Sequence, residues 1–163
     1  MTEFWDAYDA NFNKIEGMTL VRGEPVPRGM LHLVCDVTVR HTDGTYLLMQ
    51  RDPRKHYGGL WEATAGGSAL QGETPLACAI RELREETGIV STDLKEVGTD
   101  VDTSTIYVEF LCETNWPKDC ITLQTGETVA FRWVNRETLL SMKRDELITE
   151  RMQNFIEELN RID

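Results

Sequence analysis

A helix with sharply defined ends is the feature of this sequence that most constrains its fold. Thr74 offers a side-chain oxygen for the N-cap, Pro75 suits the first helical position, and Gly88 suits the position just past the end. These signals predict a helix from Pro75 to about Thr87. Apolar residues recur along it at helical spacing and predict one face that packs on a core: Leu76, Ala79, Ile80 and Leu83.

Strand patterns lie on both sides of this helix. Before it, apolar runs at 31–40 and 45–51 flank an Asp-Gly turn, which predicts a hairpin, and the segment 60–65 predicts a short strand. After it, three strands and an amphipathic C-terminal helix are predicted, at 94–101, 105–113, 128–134 and 145–161. Strands and helices mix without a repeating strand–helix–strand unit. This favours an α/β fold in which helices pack on a mixed sheet.

Composition limits the class of protein and its partners. A chain of 163 residues suits one domain, predicted to span 1–163. The net charge of −11 argues against a DNA or RNA partner, because no basic stripe is present to neutralise phosphates. The four cysteines are far apart and predict reduced thiols, and no apolar run is long enough to cross a membrane. We therefore expect a cytoplasmic protein with a small-molecule substrate.

The predicted helix carries three carboxylates close together. Glu82, Glu85 and Glu86 lie at i, i+3 and i+4, so their side chains project from one helical face. Glu82 and Glu86 should repel each other by about 0.2–0.5 kcal/mol in an exposed helix, and Arg81 and Arg84 offset the charge only in part. A hard cation such as Mg²⁺ takes oxygen ligands and would offset it better. A metal site is one interpretation, and a solvated acidic face is the other.

The residues around these glutamates follow a recognisable spacing. Gly67 is followed after five residues by Glu73 and after seven more by the run from Arg81 to Ile89, which contains Glu82, Glu85, Glu86 and Gly88. This spacing matches the Nudix box at every specified position, so the chain resembles the Nudix hydrolase superfamily over 67–89. The resemblance implies an α/β/α sandwich with a mixed β-sheet, in which the box forms a loop–helix–loop. It also implies an enzyme that cleaves a diphosphate linkage by water attack on phosphorus, with Mg²⁺ or Mn²⁺.

The resemblance also assigns roles to individual residues. Glu82, Glu85 and Glu86 match the metal ligands of the family, and the Gly67 carbonyl matches a frequent extra ligand. Glu73 and Arg81 match positions that brace the loop and orient the glutamates. The general base is left open: some members use a glutamate of the box, here Glu82 or Glu85, and others use a glutamate on a later loop, where Glu127 stands.

A basic cluster lies on the loop before the box. It comprises Arg51, Arg54, Lys55 and His56. Arginine forks match the geometry of phosphate oxygens, so Arg51 and Arg54 are the candidates for binding substrate. A solvated loop is the alternative, and we prefer it for Lys55 and His56.

The N-terminal half resembles bacterial Nudix proteins related to isopentenyl-diphosphate isomerase. That resemblance raises double-bond isomerisation as an alternative activity, and a non-catalytic nucleotide sensor as another. However, Gly66 stands where the isomerases have a catalytic cysteine and Ser68 where they have a metal-binding histidine. Only His32 matches their histidines, and a lone histidine on an apolar strand is typical of a core residue. We therefore prefer hydrolysis. Residues 1–29 are predicted to form a hairpin-like extension, used for homodimerisation or for capping the site.

Overall fold

The computed structural model describes residues 1–148, 153–154 and 156–157. Within these residues the chain forms nine strands and two helices named here. The strands are β1 (Phe4–Tyr8), β2 (Lys14–Val21), β3 (His32–His41), β4 (Tyr46–Arg51), β5 (Trp61–Glu62), β6 (Ala65–Ser68), β7 (Lys95–Val101), β8 (Thr105–Thr114) and β9 (Thr128–Val134). The helices are α1 (Pro75–Thr87) and α2 (Arg136–Ser141).

Strands β3 to β9 form a mixed sheet. Its main order is β5-β4-β3-β8-β7, with β6 also paired to β3 and β9 to β4. The pairing of β3 with β8 is parallel along its whole length, from His32↔Thr105 to His41↔Thr114, whereas the other pairings are antiparallel. The mixed α/β fold predicted from the sequence is confirmed.

The side chains of β4 alternate between two cores. Leu47 and Met49 pack in the core that contains α1, while Tyr46 and Leu48 pack in the core that contains Leu139 of α2. Successive residues of a strand point to opposite faces of the sheet, so this alternation places α1 and α2 on different faces. The sheet is therefore covered on both sides.

The ends of α1 form as the sequence predicts. The Thr74 hydroxyl accepts a hydrogen bond from the Ala77 N–H at 3.1 Å, and the Gly88 N–H donates to the Arg84 carbonyl at 2.9 Å with Gly88 at φ +79°. The predicted apolar face is only partly correct. Leu83 is fully buried, but Leu76 is exposed, because the buried side of α1 is centred on Cys78, Ala79, Glu82, Leu83 and Thr87.

Strands β1 and β2 form a separate two-stranded sheet, the N-terminal hairpin. Tyr8 and Leu31 exchange backbone hydrogen bonds of 2.8 and 2.9 Å, which joins the hairpin to the start of β3. Trp5 stacks on His32 with ring centroids 4.4 Å apart and an interplanar angle of 14°. The hairpin is thus packed against the main sheet.

Three details differ from the sequence-based expectations. The segment 60–65 is divided between β5 and β6, and α2 was not predicted, although Asn135 caps it by accepting the Thr138 N–H at 2.8 Å. In the predicted helix at 145–161, residues 145–148 form a turn and a bridge from Leu147 to Trp61, and residues 153–154 and 156–157 are helical. The rest of that segment lies outside the described residues. None of the described helices is long and apolar enough to cross a membrane.

Candidate functional site

A polar cleft of about 330 Å³ lies where the loop before α1, the helix itself and the turn before β9 meet. It brings together the three helix glutamates predicted to bind metal and all three candidates for the general base, Glu82, Glu85 and Glu127. The sequence-predicted residues that line it are Gly67, Arg81, Glu82, Glu85, Glu86 and Glu127. Residues 60 positions apart in the chain thus meet in one site.

Arg81 connects the loop to the helix. Its guanidinium donates two hydrogen bonds to Glu73, at 2.8 and 2.9 Å, and one to the Ser68 carbonyl at 3.1 Å. It also donates to Glu82 at 2.7 Å and to Glu85 at 3.2 Å. Glu73 in turn accepts the Leu70 N–H at 2.6 Å. This network fixes the loop on the helix and holds two of the three glutamates in place.

Glu86 lacks a comparable cationic partner among the described residues. Its Oε2 atom accepts the Gly66 N–H at 3.2 Å. Burial, followed by the charges of Glu82 and Glu62, raises the pKa of Glu86 well above its usual value. Burial also raises the pKa of Glu82, although Arg81 opposes that rise. The cleft therefore holds negative charge that the protein compensates incompletely.

Two glycines of β6 allow this close approach. A Cβ atom on Gly67 would lie 2.7 Å from Oε1 of Glu82, and one on Gly66 would lie 2.3 Å from both the Cys35 carbonyl oxygen and Oδ1 of Asp36. The Gly67 carbonyl, predicted as an extra metal ligand, is 3.6 Å from the Sγ atom of Cys78. A side chain at either glycine would close the space between β6, β3 and α1.

The donor chemistry fits a hard divalent cation. Carboxylates and a backbone carbonyl are the ligands that Mg²⁺ takes, and no cation of the described part of the chain pairs with Glu86. Within the described part of the chain, no three His, Cys, Asp or Glu side chains are arranged to hold an ion as they stand. The Arg81 guanidinium instead pairs with Glu82 and Glu85. An ion would compete with Arg81 for these two carboxylates, while Arg81 keeps its two bonds to Glu73.

The two arginines predicted to bind substrate lie outside the cleft lining. Arg51 donates to Glu62 at 2.8 Å and to the His56 carbonyl at 2.7 Å. Arg54 forms a fork with Asp52, at 2.6 and 2.9 Å, and its side chain is 80% exposed. Nearby carboxylates thus engage both guanidiniums. Lys55, for which a solvated loop was preferred, instead pairs with Glu127 of the cleft.

Sequence reasoning missed two charged residues that line the cleft, Glu3 and Arg22. Both belong to the N-terminal segment, more than 40 positions before the box. No local pattern marks them, since their proximity to the site depends on how the hairpin packs.

The two positions at which the isomerases have a catalytic cysteine and a metal-binding histidine are occupied here by other residues. Gly66 and Ser68 line the cleft but supply neither a thiol nor an imidazole. His32 is half-buried under Trp5, its Nδ1 atom is 3.1 Å from the Ser104 carbonyl oxygen, and burial lowers its pKa. His32 is therefore held by packing and is not among the described residues that line the cleft.

The fold and the cleft together define a mixed α/β domain that presents helix carboxylates beside a glycine-rich loop. A family model of the NUDIX domain matches residues 30–159. The chain therefore belongs to the Nudix hydrolase superfamily, as its box predicted, and this membership supports hydrolysis of diphosphates in general.

Individual relatives agree with this assignment. The chain is 34% identical over 148 residues to an uncharacterised Nudix hydrolase of Listeria monocytogenes, covering 86% of this chain and 85% of that protein. It is 35% identical over 91 residues to an isopentenyl-diphosphate Delta-isomerase of Streptomyces avermitilis, covering only 52% of this chain and 46% of that one. A crystal structure from Deinococcus radiodurans shares the fold, with a TM-score of 0.70 at 18% identity over 85% of this chain and 87% of the other.

Proposed function

We propose that this protein is a metal-dependent hydrolase that cleaves the diphosphate linkage of a small organic diphosphate by attack of water on phosphorus. The observation that carries the proposal is the negative charge around Glu86, in a cleft that also holds Glu82, Glu85 and the Gly67 backbone. Such a cleft repels a diphosphate unless a cation binds first. A bound divalent ion reverses the local field and makes the site suitable for phosphate.

Glu82, Glu85, Glu86 and the Gly67 carbonyl would hold the ion, Mg²⁺ or Mn²⁺. When bound, such an ion lowers the pKa of a coordinated water and neutralises charge as the phosphoryl bond breaks. Glu73 and Arg81 keep the loop against the helix, and Arg81 also holds Glu82 and Glu85. Glu73 and Arg81 therefore position the metal ligands and are not ligands themselves.

We assign the general base to Glu127. It lines the cleft from the turn before β9, whereas the other candidates, Glu82 and Glu85, are on α1 and bind Arg81. Its backbone carbonyl accepts the Asp52 N–H at 2.9 Å, and Lys55 holds its carboxylate. Glu127 stands outside the proposed ligand set, so its carboxylate can accept the proton of the attacking water once Lys55 releases it.

Replacing Glu127 tests this assignment. Glu127→Gln should lower kcat by about 100-fold or more, the usual contribution of a general base, while Mg²⁺ binding persists because α1 is unchanged. Gln124→Ala is the matched control, since Gln124 lines the cleft from the same turn and carries no charge. Steady-state kinetics and calorimetric titration with Mg²⁺ provide the measurements. Wild-type turnover by Glu127→Gln would return the role to Glu82 or Glu85.

Arg51 and Arg54 remain proposed contacts for parts of the substrate that extend beyond the cleft. Arg54 suits this role because four-fifths of its side chain is exposed. Arg51 would act near Glu62, which lies close enough to Glu86 to influence its pKa. Arg51→Ala should therefore raise KM more than it lowers kcat.

The setting of the enzyme is also part of the proposal. The net charge of −11 disfavours a nucleic-acid partner. The free thiols of Cys35, Cys78, Cys112 and Cys120 suit a reducing compartment, so we place the protein in the cytoplasm. We retain homodimerisation as an expectation.

A substrate panel tests the proposed activity. Purified protein should release phosphate, pyrophosphate or a nucleoside monophosphate from at least one of four groups: nucleotide sugars, dinucleoside polyphosphates, nucleoside triphosphates and prenyl diphosphates. Turnover should need Mg²⁺ or Mn²⁺, stop on addition of a chelator, and return with excess metal. Turnover that is undiminished by the chelator would contradict a metal-dependent mechanism. Conversion of isopentenyl diphosphate to its isomer, with no hydrolysis, would select the isomerase.

A further inference from the structure

The N-terminal hairpin contributes to the cleft although it lies outside the part of the chain that matches the NUDIX family model, residues 30–159. Glu3 precedes β1 and Arg22 follows β2, and both side chains line the cleft together with the helix glutamates. The Arg22 N–H donates to the Glu3 carbonyl at 3.0 Å, so the open end of the hairpin holds these two residues side by side. A segment beyond the family domain thus forms one wall of the site.

The hairpin is attached to the loop that carries the box. The Gly72 N–H donates to the Asp6 carboxylate at 2.8 Å, and the Gln71 N–H donates to the Phe4 carbonyl at 2.9 Å. The Gln71 amide also donates to the Thr19 hydroxyl at 3.0 Å. These bonds reach both strands of the hairpin. The position of Arg22 is therefore fixed relative to the same loop that precedes α1.

Arg22 and Arg81 are the cations among the described residues that line the cleft. Arg81 is engaged by Glu73, Glu82, Glu85 and the Ser68 carbonyl. The Arg22 side chain makes an ion pair with Glu3 at 3.2 Å and is 66% exposed. An exposed ion pair of this kind contributes little stability, so Arg22 can exchange Glu3 for another anion at small cost.

The other lining side chains indicate which part of a substrate the cleft accepts. Val34 and Leu70 are its apolar members, and none of the described lining residues is aromatic. The cleft therefore offers neither a stacking surface for a base nor a wall for a hydrocarbon chain. Its chemistry suits the two phosphates themselves, with the organic group directed outward.

We propose that Arg22 is a substrate-binding residue: on binding, its guanidinium leaves Glu3 and pairs with a phosphate of the diphosphate, opposite the helix glutamates. The proposal rests on the proposed function, since it takes a diphosphate as the ligand. Arginine provides a planar fork of N–H donors that matches two phosphate oxygens. When no substrate is bound, the ion pair with Glu3 keeps Arg22 directed into the cleft, and the substrate phosphate then replaces Glu3. The Trp5 indole N–H, which donates to Glu3 at 2.7 Å, holds that carboxylate in position.

Four variants separate this role from a structural one. Arg22→Ala removes the cation, Arg22→Lys keeps the charge without the fork, and Glu3→Gln removes the competing charge but keeps an acceptor for Trp5. Lys14→Ala is the matched control, because it removes one cation from the same hairpin at a site paired with Asp6 and outside the cleft lining. Two readouts are used: KM and kcat on the best substrate of the panel, and calorimetric Kd for methylenediphosphonate with Mg²⁺.

For Arg22→Ala we expect KM and the Kd for methylenediphosphonate to rise by about 10- to 100-fold, as for a lost hydrogen bond between charged groups, with kcat changed much less. Arg22→Lys should recover part of the loss, Lys14→Ala should match the wild type, and Glu3→Gln should bind as well as the wild type or more tightly. Unchanged binding by Arg22→Ala would overturn the proposal. So would equal weakening by Glu3→Gln and Arg22→Ala, because the ion pair itself would then be what matters.

The two readouts also separate this proposal from the proposed function. A wild-type protein that hydrolyses its substrate but shows no effect of Arg22→Ala refutes only the role of Arg22. A wild-type protein that hydrolyses nothing in the panel refutes the proposed function. In that event the Kd for methylenediphosphonate still decides whether Arg22 binds a diphosphate.

Discussion

Glu86→Gln is expected to reduce kcat by about 1,000-fold. Of the three helix glutamates, Glu86 alone makes no hydrogen bond to Arg81 among the contacts of the described residues, so its charge is the most available to a metal ion. An amide retains one neutral oxygen donor but loses the charge that would hold a divalent cation. A bound metal supplies several kcal/mol of transition-state stabilisation, and each ~1.4 kcal/mol corresponds to a factor of 10 in rate.

The same substitution should stabilise the metal-free protein at neutral pH. Glu86 is half-buried near Glu82 and Glu62, and burial of a poorly compensated carboxylate opposes folding. Its neutral amide analogue removes that repulsion. Mg²⁺ should therefore raise the melting temperature of the wild type, because it binds the folded state, and raise that of Glu86→Gln much less.

Thermal denaturation with and without Mg²⁺, together with steady-state kinetics, measures both effects. Glu96→Gln is a suitable control, since Glu96 is exposed on β7 and the substitution removes the same charge away from the cleft. It should leave kcat and the Mg²⁺ dependence of melting unchanged. Near-wild-type, metal-dependent turnover by Glu86→Gln would show that the metal site is elsewhere.

Local signals account for the parts of the fold that the sequence predicted well. Thr74, Pro75 and Gly88 act within one turn of the helix ends. The residues next to each end therefore determine where α1 begins and ends. The buried side of the helix was harder to predict. The periodicity predicts that Leu76 faces the core, yet α1 buries Cys78, Ala79, Glu82, Leu83 and Thr87 and leaves Leu76 exposed.

The candidate site also contains residues that local sequence spacing predicts and residues that only tertiary packing brings together. The three helix glutamates share a face because of their spacing alone, and Gly67 lies on β6, just before the loop that leads into the helix. Asp52 binds the guanidinium of Arg54, which lies two residues away. Asp52 would therefore compete with a substrate phosphate for Arg54, and the sequence pattern of the basic cluster does not show this. Arg22 reaches the cleft only because Trp5, Asp6 and Tyr8 attach the hairpin to distant segments. Contacts of this kind depend on tertiary packing, which no sequence period encodes.

The adjacent glycines of β6 should respond differently to an added methyl group. In Gly66→Ala the new Cβ would lie 2.3 Å from the Cys35 carbonyl oxygen and 2.8 Å from the Asp36 Cα atom. Backbone atoms of β3 cannot move aside without disturbing the pairing of β3 with β6, in which Asp36 is opposite Gly66. Overpacking of this kind costs about 3 kcal/mol, which corresponds to a fall in melting temperature of about 5–10 °C for a chain of this size.

In Gly67→Ala the three heavy atoms nearest the new Cβ would all belong to the carboxylate of Glu82, at 2.7–3.0 Å. That carboxylate is the end of a flexible side chain and can turn away, so the melting temperature should fall by less than in Gly66→Ala. Glu82 would then leave its place beside Gly67, and kcat should drop by about 10- to 100-fold, as when a group that positions a metal site is lost. Thermal melts and kinetics of the two variants together make the comparison. If Gly67→Ala kept full activity, the position of Glu82 seen here would not be the one that catalysis requires. If the two variants melted alike, the backbone contact at Gly66 would not limit the packing of β6.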